Sequence, residues 1–419
     1  MRSHGKTWPT VICALLACII VLFGCALPGA IGSSSSTRGE GAGPTVTGSS
    51  PVAGGATATP PPPPHALAWF QQDSHHVGQI WASVNGGAAH QVTHMPSSTA
   101  DCPYNEFWSP PVFSPNLSKI AAAWGSDDCT DGAQHGPIYI INATTGAATK
   151  VASSDIRLSL RQTGWIDNST IWWIDGRHAY RYTVGGASST NLGALGGNFA
   201  EDAVLRGSTL YYTTHVGSGL PGDGFQLQRF DMTSHSVLAG SVNMGTTNPC
   251  ECSRNDATSP GFDVSHDGSH IVFQKVSPVS GSGGDEEGVA SSQFFYANAD
   301  GSGASRIATV ATAASMVKMQ FSPNGHMVAV ARAEPAPSVF TASVTSAGLS
   351  GDPSLRFHTP DGRSYPVWKT DNATFWVGTK DLADIGFGPA TNMEHFDLGV
   401  GAGSVGAAGG SNPWYTIGS

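Results

Sequence analysis

The chain has 419 residues, with 53 Gly, 27 Pro and only 12% charged residues, about half the charged share of an ordinary globular domain. So few Lys and Glu exclude long exposed helices. A formal charge of -10 excludes a nucleic-acid binder, which needs clustered cations to displace phosphate counterions. An all-β chain fits this composition, and β folds often run past 200 residues as one domain.

In chain order, Arg2 and Lys6 precede an uncharged apolar run from Val11 to Gly24. That run is short for a spanning helix, which needs about 20 residues, and it suits a signal-peptide core. It ends in Leu22-Phe23-Gly24-Cys25, which resembles the lipobox of bacterial lipoproteins. The resemblance implies cleavage before Cys25, a lipid on its sulfur, and an anchor on the extracytoplasmic face of the bacterial cell membrane. From Ala26 to Pro64, 33 of 39 residues are Gly, Ser, Thr, Pro or Ala, closing in Pro60 to Pro64. Such a stretch buries too little apolar surface to offset its ordering entropy, so it reads as a disordered tether. The expected organisation is a signal peptide over 1–24, a lipidated linker over 25–64 and a folded domain over 65–419.

Of seven Cys, Cys13 and Cys18 fall in the signal segment and Cys25 is the lipid site, leaving Cys102, Cys129, Cys250 and Cys252. Four Cys allow three pairings in an oxidising compartment. Cys102 with Cys129 is favoured, and Cys250 and Cys252 form either a strained bridge or free thiols. A zinc site is disfavoured by the absence of C-x-x-C.

Beyond the tether an internal repeat emerges. An apolar anchor, a turn and a second apolar run recur as Phe113-Ser114-Pro115-Asn116 before Ile120–Trp124, and as Trp165-Ile166-Asp167-Asn168 before Ile171–Ile174. Further copies are Leu205-Arg206-Gly207-Ser208, Val264-Ser265-His266-Asp267-Gly268, Phe321-Ser322-Pro323-Asn324-Gly325 and Trp368-Lys369-Thr370-Asp371-Asn372. The anchors step by 52, 40, 59, 57 and 47 residues. Asp-Gly and Asn-Gly tolerate the positive φ of a tight hairpin, and the flanking runs are β-branched and aromatic. A second hairpin recurs as well, with seven runs against the six anchors, beginning at Ile80, Ile138, Tyr180, Leu227, Phe294, Phe340 and Phe396. Four short strands per unit of about 50 residues predict a single β-propeller. Seven blades are favoured, closed by Trp414–Ile417 returning beside Trp69; six is the alternative, with the Gly-rich tail peripheral. The run Phe-Ser-Pro-Asn-Gly, and Asn298-Ala299-Asp300-Gly301 after a strand, resemble the TolB-type, WD-like propeller repeat, which implies the fold and little about activity.

Candidate chemistry is sparse. No G-x-S-x-G occurs, so the hydrolase nucleophile elbow is missing. Ser265-His266-Asp267-Gly268 starts like a sialidase Asp box and then departs, so it reads as a hairpin turn. His90-Gln91-Val92-Thr93-His94 has H-E-x-x-H spacing, but Gln91 removes the general base. Asp127, Asp128 and Asp131 crowd one loop and are weak candidates for a hard cation, without EF-hand spacing. Asn116, Asn142, Asn168 and Asn372 head Asn-x-Ser/Thr sequences and read as turn formers. Adjacent Trp172 and Trp173 must face opposite ways, so one is expected exposed or at a sheet interface. His266, His270 and His326 lie beside repeat turns, where a propeller presents its loops, and form a candidate binding surface. No cofactor is expected. The reading is a membrane-anchored, non-catalytic module that binds a protein or small ligand at a propeller face. The alternative is a propeller enzyme acting on envelope carbohydrate or peptide.

Overall fold

The computed structural model describes residues 66–72, 77–84, 88–96, 106–126, 135–157, 161–216, 224–246, 260–278, 289–310, 317–332, 338–345, 348–357, 367–368, 374–379, 392–397 and 401–404. Cys25, Cys102, Cys129, Cys250, Cys252, Asp127, Asp128, Asp131 and Trp414 lie outside the described residues, as does the linker.

Among the described residues every element is a strand or a turn and none is a helix. All six anchors occur where a first strand is expected, in Val112–Phe113, Thr163–Trp165, Ala200–Arg206, Phe262–Val264, Lys318–Phe321 and Val367–Trp368. The second apolar run follows each as an antiparallel partner: Phe262 faces Phe273 and Val264 faces Ile271, while Phe321 faces Val328. A third and fourth strand complete the meander, as in Thr163–Trp165, Thr170–Ile174, His178–Thr183 and Thr190–Ala194. The first group differs. Ala66–Gln72, Gly78–Val84 and His90–Gln91 make an antiparallel sheet of three strands.

First strands of successive groups touch one another, so the sheets are arranged around an inner ring of first strands, the organisation of a β-propeller. Among the described residues the sheets from Ala66 to Thr345 pack on their neighbours through apolar faces, in four successive cores. Thr170–Ile174 is buried at all five positions. Trp172 and Trp173 are both buried, and they enter different cores. Trp173 packs with Ile120, Ile141 and Ile171, where it stacks on Tyr180 at 5.1 Å. Trp172 packs with Leu210, Tyr212 and Phe230 of the next sheet. The two expected faces are therefore both interfaces between sheets.

Three of the turns after the anchors share one hydrogen-bond plan. Ser114 Oγ donates to Asn116 Oδ1 (2.9 Å), Ser265 Oγ to Asp267 Oδ1 (2.6 Å) and Ser322 Oγ to Asn324 Oδ1 (2.8 Å). The same oxygen then accepts the backbone N–H two residues on, at Ser118, Ser269 and His326. The short side chain thereby holds the turn that DG or NG predicts. Asn142 does the same for Thr144 and Thr145, and Asn168 accepts the Asn116 N–H across two repeats. Gly245 is needed for another reason. It stands at φ +91 and any Cβ there would meet the Val276 carbonyl oxygen. Through that close approach Gly245 pairs in parallel with Val276, joining two repeats into one nine-stranded sheet.

Candidate functional site

Two clusters of polar side chains stand out, and they belong to overlapping repeats. The first is a groove of about 640 Å³ on the turn side of the sheets, between the repeat anchored at Val264 and the one anchored at Phe321. Its rim carries His266 and His270 from one turn and His326 from the next, so all three candidate histidines line one cavity. Phe321, Tyr296 and Val344 form the apolar part of the wall, and Asn298, Asn324 and Ser305 the polar part.

His270 lies flat on Tyr296, with ring centroids 5.0 Å apart and planes 14° from parallel. Tyr296 in turn meets Phe321 edge-on at 6.5 Å. Proton positions around His270 follow from the donor inventory. An ionised carboxylate only accepts, so Ser269 Oγ, 2.7 Å from Asp267 Oδ2, must donate to it. The same oxygen is 2.6 Å from His270 Nδ1. Its proton being committed, the imidazole must supply the proton there, which leaves Nε2 of the neutral ring as an acceptor. Asp267 is held as the anion: hydrogen bonds from the Ser265 and Ser269 hydroxyls and the Ser269 N–H lower its pKa to about 2. Ser269 is thus a relay that orients His270; its hydroxyl proton points to a carboxylate, opposite to the arrangement that activates a nucleophile. Burial and then the Asp267 charge raise the Tyr296 pKa, so its phenol stays a donor. The His266 pKa is pushed down, first by desolvation of its charged form and then by the Arg206 cation.

The second cluster lies on the first strands. Arg161 grips Asp202 through two nitrogens, Nε at 3.1 Å from Oδ1 and Nη2 at 2.8 Å from Oδ2. Its Nη1 reaches Asp263 Oδ1 at 3.2 Å, and Nη2 also donates to the Phe262 carbonyl. Asp263 Oδ2 accepts the Phe321 N–H at 2.8 Å, and Arg206 Nη2 lies 3.7 Å from Oδ1. One arginine and two aspartates therefore tie four consecutive repeats. The Asp side chains are 4% and 1% exposed, so these are ion pairs out of water. Beside them Glu201 Oε1 is 3.0 Å from His215 Nε2. Lys318 is buried, and burial lowers its pKa against the pull of Asp202 and Glu201. None of these groups stands in a recognisable motif. The signal available was charge inside apolar strands, as in Phe262-Asp263-Val264 and Val317-Lys318-Met319.

His90 and His94 are exposed, and the Gln91 amide bonds to His94 Nδ1 at 3.1 Å. Among the described residues no group of three or more His, Cys, Asp and Glu converges as a metal site requires.

No family model matches the chain, and no curated protein matches its sequence. Solved structures similar to it include an oligogalacturonate lyase in complex with manganese (13% identity, 81% of this chain and 83% of that one, TM-score 0.48). A periplasmic gluconolactonase from Pseudomonas aeruginosa matches at 11% identity over 84% of this chain and 99% of that one, with a TM-score of 0.48. A TolB-type protein from Agrobacterium tumefaciens matches at 15% identity over 74% and 95%, with a TM-score of 0.40. These neighbours include enzymes and a TolB-type protein alike, and likeness at this level bears on fold and carries no function.

Proposed function

We propose that this chain is a lipid-anchored β-propeller of seven blades, held at Cys25 on the extracytoplasmic face of a bacterial membrane, that binds an envelope component in the His266–His270–His326 groove. The observation that carries the reading is the groove itself: two repeats place three imidazoles, a stacked His270–Tyr296 pair and two amides around one cavity. Concave sites with an apolar body and a few placed polar groups are where ligands bind. The tether supports the rest. Its sequence is 33 of 39 residues Gly, Ser, Thr, Pro or Ala, and a coil of that composition and length would reach roughly 35 Å, from about 5–6 Å times the square root of length.

The test immobilises the full-length protein and measures retention of an extract of the native envelope, against a His270→Ala/His326→Ala variant. The reading expects retention to fall about tenfold in the variant; equal retention overturns it. Cys25→Ala is expected to move the protein from the membrane fraction to the soluble one, and unchanged membrane retention counts against the anchor.

A second reading, a propeller enzyme acting on envelope carbohydrate or peptide, is favoured by one observation. The Glu201 carboxylate at 3.0 Å fixes one nitrogen of His215, whose side chain is 28% exposed, and a carboxylate-oriented imidazole is general-base chemistry. Turnover of an envelope polymer that Glu201→Gln abolishes would establish it; turnover unchanged in that variant removes it.

A further inference from the structure

The groove's chemistry narrows what fits it, and the argument rests on the groove being the binding site proposed above. Its lining contains no Lys or Arg, and its one carboxylate, Asp267, is occupied by the Ser265 and Ser269 hydroxyls and the Ser269 N–H. A polyanion entering there meets no guanidinium or ammonium and one fixed negative charge. A cation meets a single carboxylate, three of whose roughly four acceptor sites are taken by local donors. Neither charge class is served.

What the lining does offer is alternating hydrogen-bond capacity beside an apolar face. His270 presents Nε2 as an acceptor, because its Nδ1 proton is spent on Ser269. Tyr296 lines the same wall as a protonated phenol, and Asn298, Asn324 and Ser305 bring groups that both donate and accept. Phe321, Val344 and the stacked His270–Tyr296 pair supply flat and apolar surface beside them. A pyranose has this pattern in complement: hydroxyls that each donate and accept at its edge, and C–H groups on its face. We infer that the groove takes a neutral oligosaccharide. The volume of about 640 Å³ lies in the range of sites that enclose a ligand larger than one small ring.

The test is calorimetric titration of the full-length chain at pH 7 with four neutral tetrasaccharides (chitotetraose, maltotetraose, cellotetraose and mannotetraose) and with anionic trigalacturonate. At least one neutral sugar should give saturable heat, and trigalacturonate none. His270→Ala should weaken that binding about tenfold, the loss of one hydrogen bond and a stacking face. His326→Ala, at an exposed rim position, should weaken it several-fold. No binding by any neutral sugar, preference for trigalacturonate, or equal affinity in both variants overturns the inference. Retention of envelope material that depends on the groove, yet is not displaced by any of the four sugars, refutes the ligand class and leaves the binding reading standing. Retention indifferent to both histidines refutes that reading itself.

Discussion

Asp263 and Asp267 stand four residues apart on one repeat and are stabilised by opposite means. Asp263 is 1% exposed and held by the Arg161 guanidinium, a backbone N–H and the nearby Arg206. Asp267 is exposed and held by two serine hydroxyls and a backbone N–H from its own turn. The first arrangement is long-range: Arg161 lies 41 residues from Asp202 and 102 from Asp263. The second is complete within five residues. The difference separates a clamp, which closes repeats on each other and offers little to solvent, from a groove whose polar groups face outward and can meet a ligand. A buried ion pair is costly to break from one side, because the partner charge stays behind in a low-dielectric site. An exposed turn carboxylate loses only local bonds to groups that water can replace.

Substitutions can break this comparison, and the clamp should give the largest effect. Arg161→Ala removes the bridging guanidinium from two buried carboxylates and is expected to cost about 3–5 kcal/mol of stability, read as a lower denaturant midpoint. Arg161→Lys should recover little of it, since an ammonium cannot make the two-nitrogen grip on Asp202. A loss below about 1 kcal/mol would mean the cluster is not a clamp. Asp267 should give a smaller effect with a defined pH signature. Its folded pKa of about 2 lies below the ordinary 3.8, so its bonds stabilise the fold above about pH 4 and are lost as pH falls toward 2. Asn occupies the same turn position at Asn116 and Asn324, so Asp267→Asn should fold normally and differ from the parent only above that window. The stability difference should shrink as pH falls through about 2; one that is as large there as at pH 7 would contradict the assignment. The smallest effect belongs to His326→Ala, within about 0.5 kcal/mol in thermal melts, as for surface positions generally. A larger loss would make the rim structural and weaken the case for binding.

These two regions also differ in how far the residues alone reveal them. The turns were legible because their signals are local. Phe-Ser-Pro-Asn-Gly and Val-Ser-His-Asp-Gly announce anchor, hairpin and strand in a few residues, and the three histidines sit inside or beside them. The repeat likewise predicted where all six first strands occur. The clamp was hidden because its partners come from three or four repeats, and nothing in the spacing of Arg161, Asp202 and Asp263 encodes their meeting. Lys318 and Glu201 were equally silent, the first a single charge in an apolar strand and the second beside Asp202 in a mixed one. Only the unusual rarity of charge in this chain marks them as residues that must find a partner. The groove's width and the His270–Tyr296 stack were beyond reach too, since Tyr296 comes from the third strand of its repeat and meets the first hairpin only after folding.

The central claim is that the turn-side groove, and not the first-strand clamp, meets the ligand. Amide hydrogen exchange of the full-length protein with and without envelope extract tests this most directly. The account predicts added protection at the turn amides around Ser269–His270 and Gly325–His326, with residues 161–163 and 262–264 unchanged. Protection confined to those first strands, or none at the turns, would contradict it.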